Sequence, residues 1–113
     1  MQVNVIGAGL AGCEAALWLA DAGVQVDLYE QKPGKFSPAH KSAGFAELIC
    51  SNSLKAERPD SASGLLKLEM KMMGSHLLKA AETARVAWTG MSSPPPLLRW
   101  WKSTRISQCI VRK

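Results

Sequence analysis

The chain has 113 residues, of which 47% are hydrophobic, so it is long enough for one small domain. It has no apolar run near the roughly 20 residues that cross a bilayer and no basic stretch before its first motif, which predicts a cytoplasmic protein without a membrane segment. Its three cysteines lack the spacing of metal ligands, so we expect reduced thiols and no metal.

The net charge of +5 is concentrated at one end of the chain. Residues 1–85 hold nine basic and nine acidic side chains, and no acid follows Glu82. The excess comes from Arg99, Lys102, Arg105, Arg112 and Lys113. The composition therefore changes abruptly near Val86, and the neutral part does not suggest a nucleic-acid-binding surface.

The first 30 residues predict a strand, a glycine turn, a helix and a second strand. "VNVI" (3–6) and "VQVDLY" (24–29) are β-branched-rich or alternating, and "CEAALWLADA" (13–22) is rich in helix formers. "GAGLAG" (7–12) joins the first strand to the helix and matches G-x-G-x-x-G. The predicted fold class is therefore α/β, with a Rossmann-type FAD/NAD(P)-binding βαβ unit that is incomplete.

The glycine turn predicts a site for a dinucleotide. Gly7 permits the turn, Gly9 lets a pyrophosphate approach the backbone, and Gly12 lets the helix pack on the strand. An acid at Glu30 can accept hydrogen bonds from ribose hydroxyls and disfavours a 2′-phosphate, so FAD or NAD fits better than NADP. A glycine-rich turn without a ligand is the alternative. The predicted cofactor-binding residues are Gly7, Ala8, Gly9, Leu10, Ala11, Gly12 and Glu30.

Beyond Glu30 the sequence predicts a long loop and then a helical region. Proline and glycine recur over "QKPGKFSPAHKSAG" (31–44), and the loop leads through "FAELIC" to Cys50 and the turn residues Ser51-Asn52-Ser53. Apolar residues then follow helical spacing from Leu65 to Ala84, with an interruption expected at Gly74.

Several segments closely resemble one enzyme family. "VNVIGAGLAGCEAA", "SPAHKSAGFAELICSNSLKAE" and "GLLKLEM" are similar to the N-terminus of the folate- and FAD-dependent tRNA (uracil-5-)-methyltransferases, the TrmFO/Gid family, over about residues 2–85. "EQKP" stands where the family usually has Met-Arg-Pro, and Ala43 stands where an acid is common, so these two positions depart from the family pattern.

The resemblance implies a reaction and its partners. FAD is reduced by NAD(P)H, methylenetetrahydrofolate supplies a one-carbon unit, and C5 of a T-loop uridine in tRNA is methylated. Because a thiolate that adds to C6 makes C5 nucleophilic, Cys50 is the candidate catalytic residue. Cys50 could instead be a thiol beside the flavin, or a packing residue. The resemblance also implies a second candidate cysteine later in the family's full-length chain, which these 113 residues do not contain.

Residues 86–113 are expected to be a frameshifted, disordered basic tail outside the 1–85 part of the FAD-binding domain. Read one base out of register, the codons for residues 88–93 are compatible with Asp-Arg-Asp-Glu-Phe, which is similar to the family continuation. A genuine basic extension that contacts RNA is the alternative. We expect the chain alone to bind FAD weakly or not at all and to be inactive.

Two other functions compete with this interpretation. One is another flavoprotein oxidoreductase, including the relatives that modify wobble uridines in tRNA. The other is a non-catalytic nucleotide- or RNA-binding module that uses the basic tail. Salt-dependent RNA binding that disappears without residues 86–113 would distinguish the latter.

Overall fold

A computed structural model describes residues 1–49, 58–88 and 109–112 of the chain. They form two units: one contains β1 (Gln2–Ile6), α1 (Leu10–Asp21), β2 (Gln25–Tyr29) and β3 (Cys109–Arg112), and the other contains α2 (Ala62–Met72) and α3 (His76–Trp88). No helix in these described ranges is long and apolar enough to cross a membrane.

The first unit begins with a βαβ element formed by β1, α1 and β2. β1 and β2 are parallel neighbours, paired from Gln2 opposite Gln25 to Ile6 opposite Tyr29. Parallel neighbours need a crossover, and α1 supplies it with 12 residues. The predicted α/β class and Rossmann-type unit are confirmed. The helix begins at Leu10 instead of residue 13, because the last three residues of the glycine turn belong to its first turn.

The end of α1 has the predicted glycine signal. Gly23 has a φ of 77°, a left-handed conformation that favours glycine. Its N–H donates to Ala20 O at 3.0 Å, and the N–H of Val24 donates to Leu19 O at 2.9 Å. This is the Schellman pattern, which satisfies the last carbonyls of the helix and directs the chain into β2.

The core of this unit lies between α1 and β2. Val26 and Leu28 alternate along β2 and are fully buried, as is Ala16 on α1. Leu17 is 2% exposed, and each such aliphatic side chain contributes about 1.5–3 kcal/mol through burial. The packing holds the carboxyl end of β2, where Glu30 follows, beside the glycine turn.

β3 extends the sheet on the other side of β2. The strand order is β1-β2-β3, and β3 is parallel to β2 with Cys109 opposite Val26 and Arg112 opposite Tyr29. These four residues form a strand that the sequence did not predict, because main-chain pairing with β2 gives "CIVR" a place in the sheet. The disordered tail over residues 86–113 stays a prediction. Residues 89–108 and 113 lie outside the described part, and the frame change stays a prediction.

In the second unit, the predicted interruption at Gly74 is confirmed. Gly74 has a φ of 82°, and the N–H groups of Gly74 and Ser75 donate to Lys71 O and Met70 O, at 2.9 and 3.0 Å. α2 therefore ends in the same Schellman pattern. The helical region becomes two helices, and α3 continues to Trp88, past the composition break at Val86.

Candidate functional site

The glycine turn lies at the carboxyl ends of β1 and β2. Gly7 follows β1 with a φ of 97°, which only glycine adopts without strain. Its N–H donates to the carbonyl oxygen of Tyr29, the last residue of β2, at 2.8 Å. The chain therefore turns away from the sheet at the edge where parallel α/β folds bind ligands.

The two later glycines of the turn have opposite surroundings. A Cβ on Gly12 would lie 1.8 Å from Gly7 O, so only glycine allows this contact between helix and turn. A Cβ on Gly9 would meet nothing within 4 Å, so open space lies over this residue. Gly9 is also the N-cap of α1, and no side chain caps the helix there. This helix N-terminus can accept an anion.

Glu30 is bonded to the turn by its carboxylate. Oε2 accepts the N–H of Ala8 at 3.1 Å, and Oε1 accepts the N–H of Lys32 at 3.0 Å. Both bonds come from the main chain, which fixes the carboxylate at the end of β2. An ionised carboxylate has about four acceptor positions, so capacity for ribose hydroxyls is left.

The carbonyl of Ala8 is bonded as well. It accepts the N–H of Ala46 at 2.9 Å and the thiol of Cys13 at 3.3 Å. Cys13 is fully buried, which fits a packing residue beneath the turn. Ala46 has a φ of 50°. It is only 3% exposed, so the segment before Glu47 packs against the glycine turn.

An ion pair in this segment was not predicted from the sequence. Lys32 Nζ donates to Gly44 O at 2.6 Å and lies 3.5 Å from Glu47 Oε2, with side-chain exposures of 3% for Lys32 and 14% for Glu47. Glu47 Oε1 accepts the N–H groups of Lys41 and Ser42, at 2.8 and 2.9 Å. No local pattern in the sequence points to this pair, since the two residues lie 15 positions apart.

The surroundings of Glu47 favour its ionised form. The N–H of Lys41 is the largest cause that holds the pKa of this carboxyl below its ordinary value, with the N–H of Ser42 and the ammonium of Lys32 acting in the same direction. Burial acts in the opposite direction but does not outweigh them.

The structure brings most of the predicted site residues together. Glu30 contacts the turn directly through Ala8. Cys50, the candidate catalytic residue, lies outside the described residues. In the described ranges, no group of three or more His, Cys, Asp or Glu side chains could hold a metal ion. The predicted residues that share this edge of the sheet are Gly7, Ala8, Gly9, Leu10, Ala11, Gly12 and Glu30.

This arrangement suits a dinucleotide. An uncapped helix N-terminus, open space over Gly9 and a fixed carboxylate at Glu30 match a diphosphate and an adjacent ribose. The fold and this edge define a Rossmann-type βαβ unit of the nucleotide-binding class. The family model described as "Glucose inhibited division protein A" matches residues 2–93, and the chain belongs to this family.

The matching relatives have a more specific name. Proteins named methylenetetrahydrofolate--tRNA-(uracil-5-)-methyltransferase TrmFO are similar to this chain, which confirms the resemblance found in the sequence. The protein from Syntrophomonas wolfei is 58% identical over 85 residues, covering 75% of this chain and 20% of the relative. The one from Thermotoga petrophila is 59% identical over 86 residues, covering 76% and 20%. The one from Lactobacillus delbrueckii is 53% identical over 85 residues, covering 75% and 19%. The chain spans about a fifth of the length of these relatives.

Proposed function

We propose that this chain is the dinucleotide-binding part of an enzyme that uses FAD and methylenetetrahydrofolate to methylate C5 of a T-loop uridine in tRNA. The observation that carries the proposal is the identity of 58% over 85 residues with a protein named as such a methyltransferase. An enzyme that acts on tRNA is expected in the cytoplasm. The tRNA contacts are expected mostly outside this chain.

The residues of the site have separate roles in binding FAD. The N–H groups at the start of α1 would bind the diphosphate in the space over Gly9. Glu30 would accept hydrogen bonds from the adenosine ribose hydroxyls, and its negative charge would repel a 2′-phosphate. A bound flavin would supply the reducing equivalents that make the one-carbon unit a methyl group, with NAD(P)H as the proposed reductant.

Cys50 is the proposed catalytic residue of this chain. It would act either as the thiolate that adds to C6 of the uracil or as a thiol beside the flavin. Either role needs the thiol at the ligand edge of the sheet. The segment leading to it is anchored there, because the N–H of Ala46 donates to Ala8 O at 2.9 Å.

A chimeric enzyme tests the function. Residues 2–85 of this chain would replace the matching stretch of the Thermotoga petrophila relative. Bound FAD and the nucleosides of treated tRNA would then be measured by absorbance and mass spectrometry. We expect bound FAD and C5-methyluridine that depends on methylenetetrahydrofolate. A folded chimera without FAD, or one that forms carboxymethylaminomethyluridine, would contradict the proposal.

A cysteine variant of the same chimera tests Cys50. Cys50→Ala should keep bound FAD and lose C5-methyluridine formation, because the thiol is proposed to act in the transfer and not in cofactor binding. Cys13→Ala is the comparison for a thiol outside the transfer step: it removes the bond from the Cys13 thiol to Ala8 O at 3.3 Å, so any loss should appear in bound FAD and not in methylation by the FAD-bound chimera. Normal methylation by Cys50→Ala would remove Cys50 from the mechanism.

A further inference from the structure

We propose that Lys32 and Glu47 are a positioning pair that orients the glycine turn for its ligand without touching the ligand. The inference rests on the proposed FAD binding. The pair lies in the loop that follows β2, and both side chains are largely shielded from water, with exposures of 3% and 14%. Shielded charges persist only with partners, and each side chain has the other beside it together with main-chain groups: Gly44 O for Lys32, and the N–H groups of Lys41 and Ser42 for Glu47.

The pair closes a ring of contacts around the turn. Ala8 N–H donates to Glu30, and the other oxygen of Glu30 accepts the N–H of Lys32, at 3.1 and 3.0 Å. The side chain of Lys32 then contacts Glu47 at 3.5 Å. The chain next to Glu47 returns to the start, because Ala46 N–H donates to Ala8 O at 2.9 Å.

Glu47 also shapes the segment that makes the return contact. Its Oε1 accepts hydrogen bonds from the N–H groups of Lys41 and Ser42, and Lys32 Nζ donates to Gly44 O at 2.6 Å. These bonds curl residues 41–47 and support the positive φ of 50° at Ala46. The curl presents the Ala46 amide to the turn.

The ring fixes the Ala8 residue from both sides. Its N–H and its carbonyl are each bonded, and the carbonyl belongs to the peptide unit that carries the N–H of Gly9. Because that peptide unit is planar, its orientation also sets the direction of the Gly9 amide. Lys32 and Glu47 therefore influence the phosphate-facing main chain through Ala46 and Glu30.

Amide hydrogen exchange in the ligand-free 113-residue chain tests the pair directly. We expect Lys32→Met and Glu47→Gln to speed exchange of the Ala46 and Ala8 amides by about tenfold or more, because the ring opens locally. Amides of Val26 and Leu28 should be unchanged, which would show that the sheet is folded. Lys32→Arg keeps the charge and should restore slow exchange at Ala8.

The Ala8 amide separates positioning from simple loop stability, since it touches neither Lys32 nor Glu47. Unchanged Ala8 exchange in both Lys32→Met and Glu47→Gln would overturn the inference, whatever happens at Ala46. The same would follow if Lys32→Arg exchanged as fast as Lys32→Met while the sheet amides stayed protected.

FAD titration of the same proteins keeps the two proposals distinguishable. If the chain binds FAD, Lys32→Met and Glu47→Gln should raise the dissociation constant by about tenfold, and Lys32→Arg should restore it. Unchanged FAD affinity in the two neutral variants would overturn the positioning role. Absence of FAD binding by the unaltered chain would leave the proposed function to be decided by the chimera, while the exchange rates would still decide whether the pair positions the turn.

Discussion

Glu30 holds the main chain of Ala8 across 22 positions of sequence, with the N–H of Ala8 donating to Oε2 at 3.1 Å. The carboxylate proposed to bind ribose is therefore already bonded to the turn proposed to bind the diphosphate. Such preorganisation lowers the entropy lost when a ligand binds. It also couples the two halves of the site, so a change at Glu30 should affect both.

A neutral replacement tests this coupling. In Glu30→Gln, the side-chain NH₂ must face the N–H of either Ala8 or Lys32, and one donor loses its acceptor. We expect a loss of about 1–3 kcal/mol in the free energy of unfolding and a roughly tenfold weaker affinity for FAD. Chemical denaturation and fluorescence titration would measure these effects. The control is Glu69→Gln on the exposed surface of α2, which should change neither quantity.

The same variant tests discrimination against a 2′-phosphate. Without the negative charge of Glu30, 2′,5′-ADP should compete with FAD better relative to 5′-ADP than it does in the unaltered chain. An unchanged ratio of the two competitors would show that Glu30 does not face the ribose.

Gly9 and Gly12 provide a matched pair of substitutions. Gly9→Ala places its Cβ in open space at an ordinary φ of −74°, so the chain should stay folded, with stability changed by less than about 1 kcal/mol. The methyl group occupies the space proposed for the diphosphate, and FAD binding should weaken by about tenfold or more. Circular dichroism and FAD titration would measure the two effects.

Gly12→Ala should act through folding instead. Its Cβ would lie 1.8 Å from Gly7 O, so helix and turn must separate. Overpacking of this kind costs about 1–3 kcal/mol or more, and the thermal unfolding temperature should fall.

For Gly9→Ala, FAD binding equal to that of the unaltered chain would place the diphosphate elsewhere.

The sequence predicted the βαβ unit because its signals are local. Strand alternation, three glycines in fixed spacing and an acid after the second strand each reflect the conformation of a few neighbouring residues. The contact of Lys32 with Glu47 has no such signal, since it joins two positions 15 residues apart through an irregular loop. It depends on the curl of residues 41–47, which only the folded chain contains.

β3 was missed for a different reason. "CIVR" contains two β-branched residues, but it is short and lies among basic residues, tryptophans and prolines that predicted a tail. Its place beside β2 depends on pairing with a strand about 80 positions earlier, and single-sequence patterns do not encode such a partner. In contrast, the break at Gly74 was predictable because glycine at a helix end is itself the local cause.

Two serines of the second unit should each stabilise one helix. Ser61 Oγ accepts the N–H of Gly64 at 3.1 Å, and Ser75 Oγ accepts the N–H of Leu78 at 3.2 Å. Replacing either serine with alanine should lower stability by about 0.5–2 kcal/mol, since an N–H at the helix start loses its acceptor. Helical circular dichroism on heating would measure the loss. Ser63→Ala, an exposed position inside α2, is the control and should be neutral or slightly stabilising. Equal effects of Ser61→Ala and Ser63→Ala would contradict the cap.

The anchoring of residues 41–47 should depend on pH through Glu47. Its pKa in the folded chain is lowered from the ordinary value of 4.5, chiefly by the N–H of Lys41. A lowered pKa means that the stabilisation is complete above pH 4.5 and is lost as the pH falls through the lower folded value. Exchange of the Ala46 amide, corrected for its intrinsic pH dependence, should therefore become faster in that acidic range.

A carboxyl ¹³C titration of Glu47 would measure the pKa directly. We expect a midpoint below 4.5 in the unaltered chain. Lys32→Met should raise the midpoint only in part, because the N–H groups of Lys41 and Ser42 still favour the ionised form. In Glu47→Gln the acid-dependent change at Ala46 should disappear, since no proton is taken up at this position. A midpoint at or above 4.5, or an unchanged acid response in Glu47→Gln, would show that another group anchors the loop.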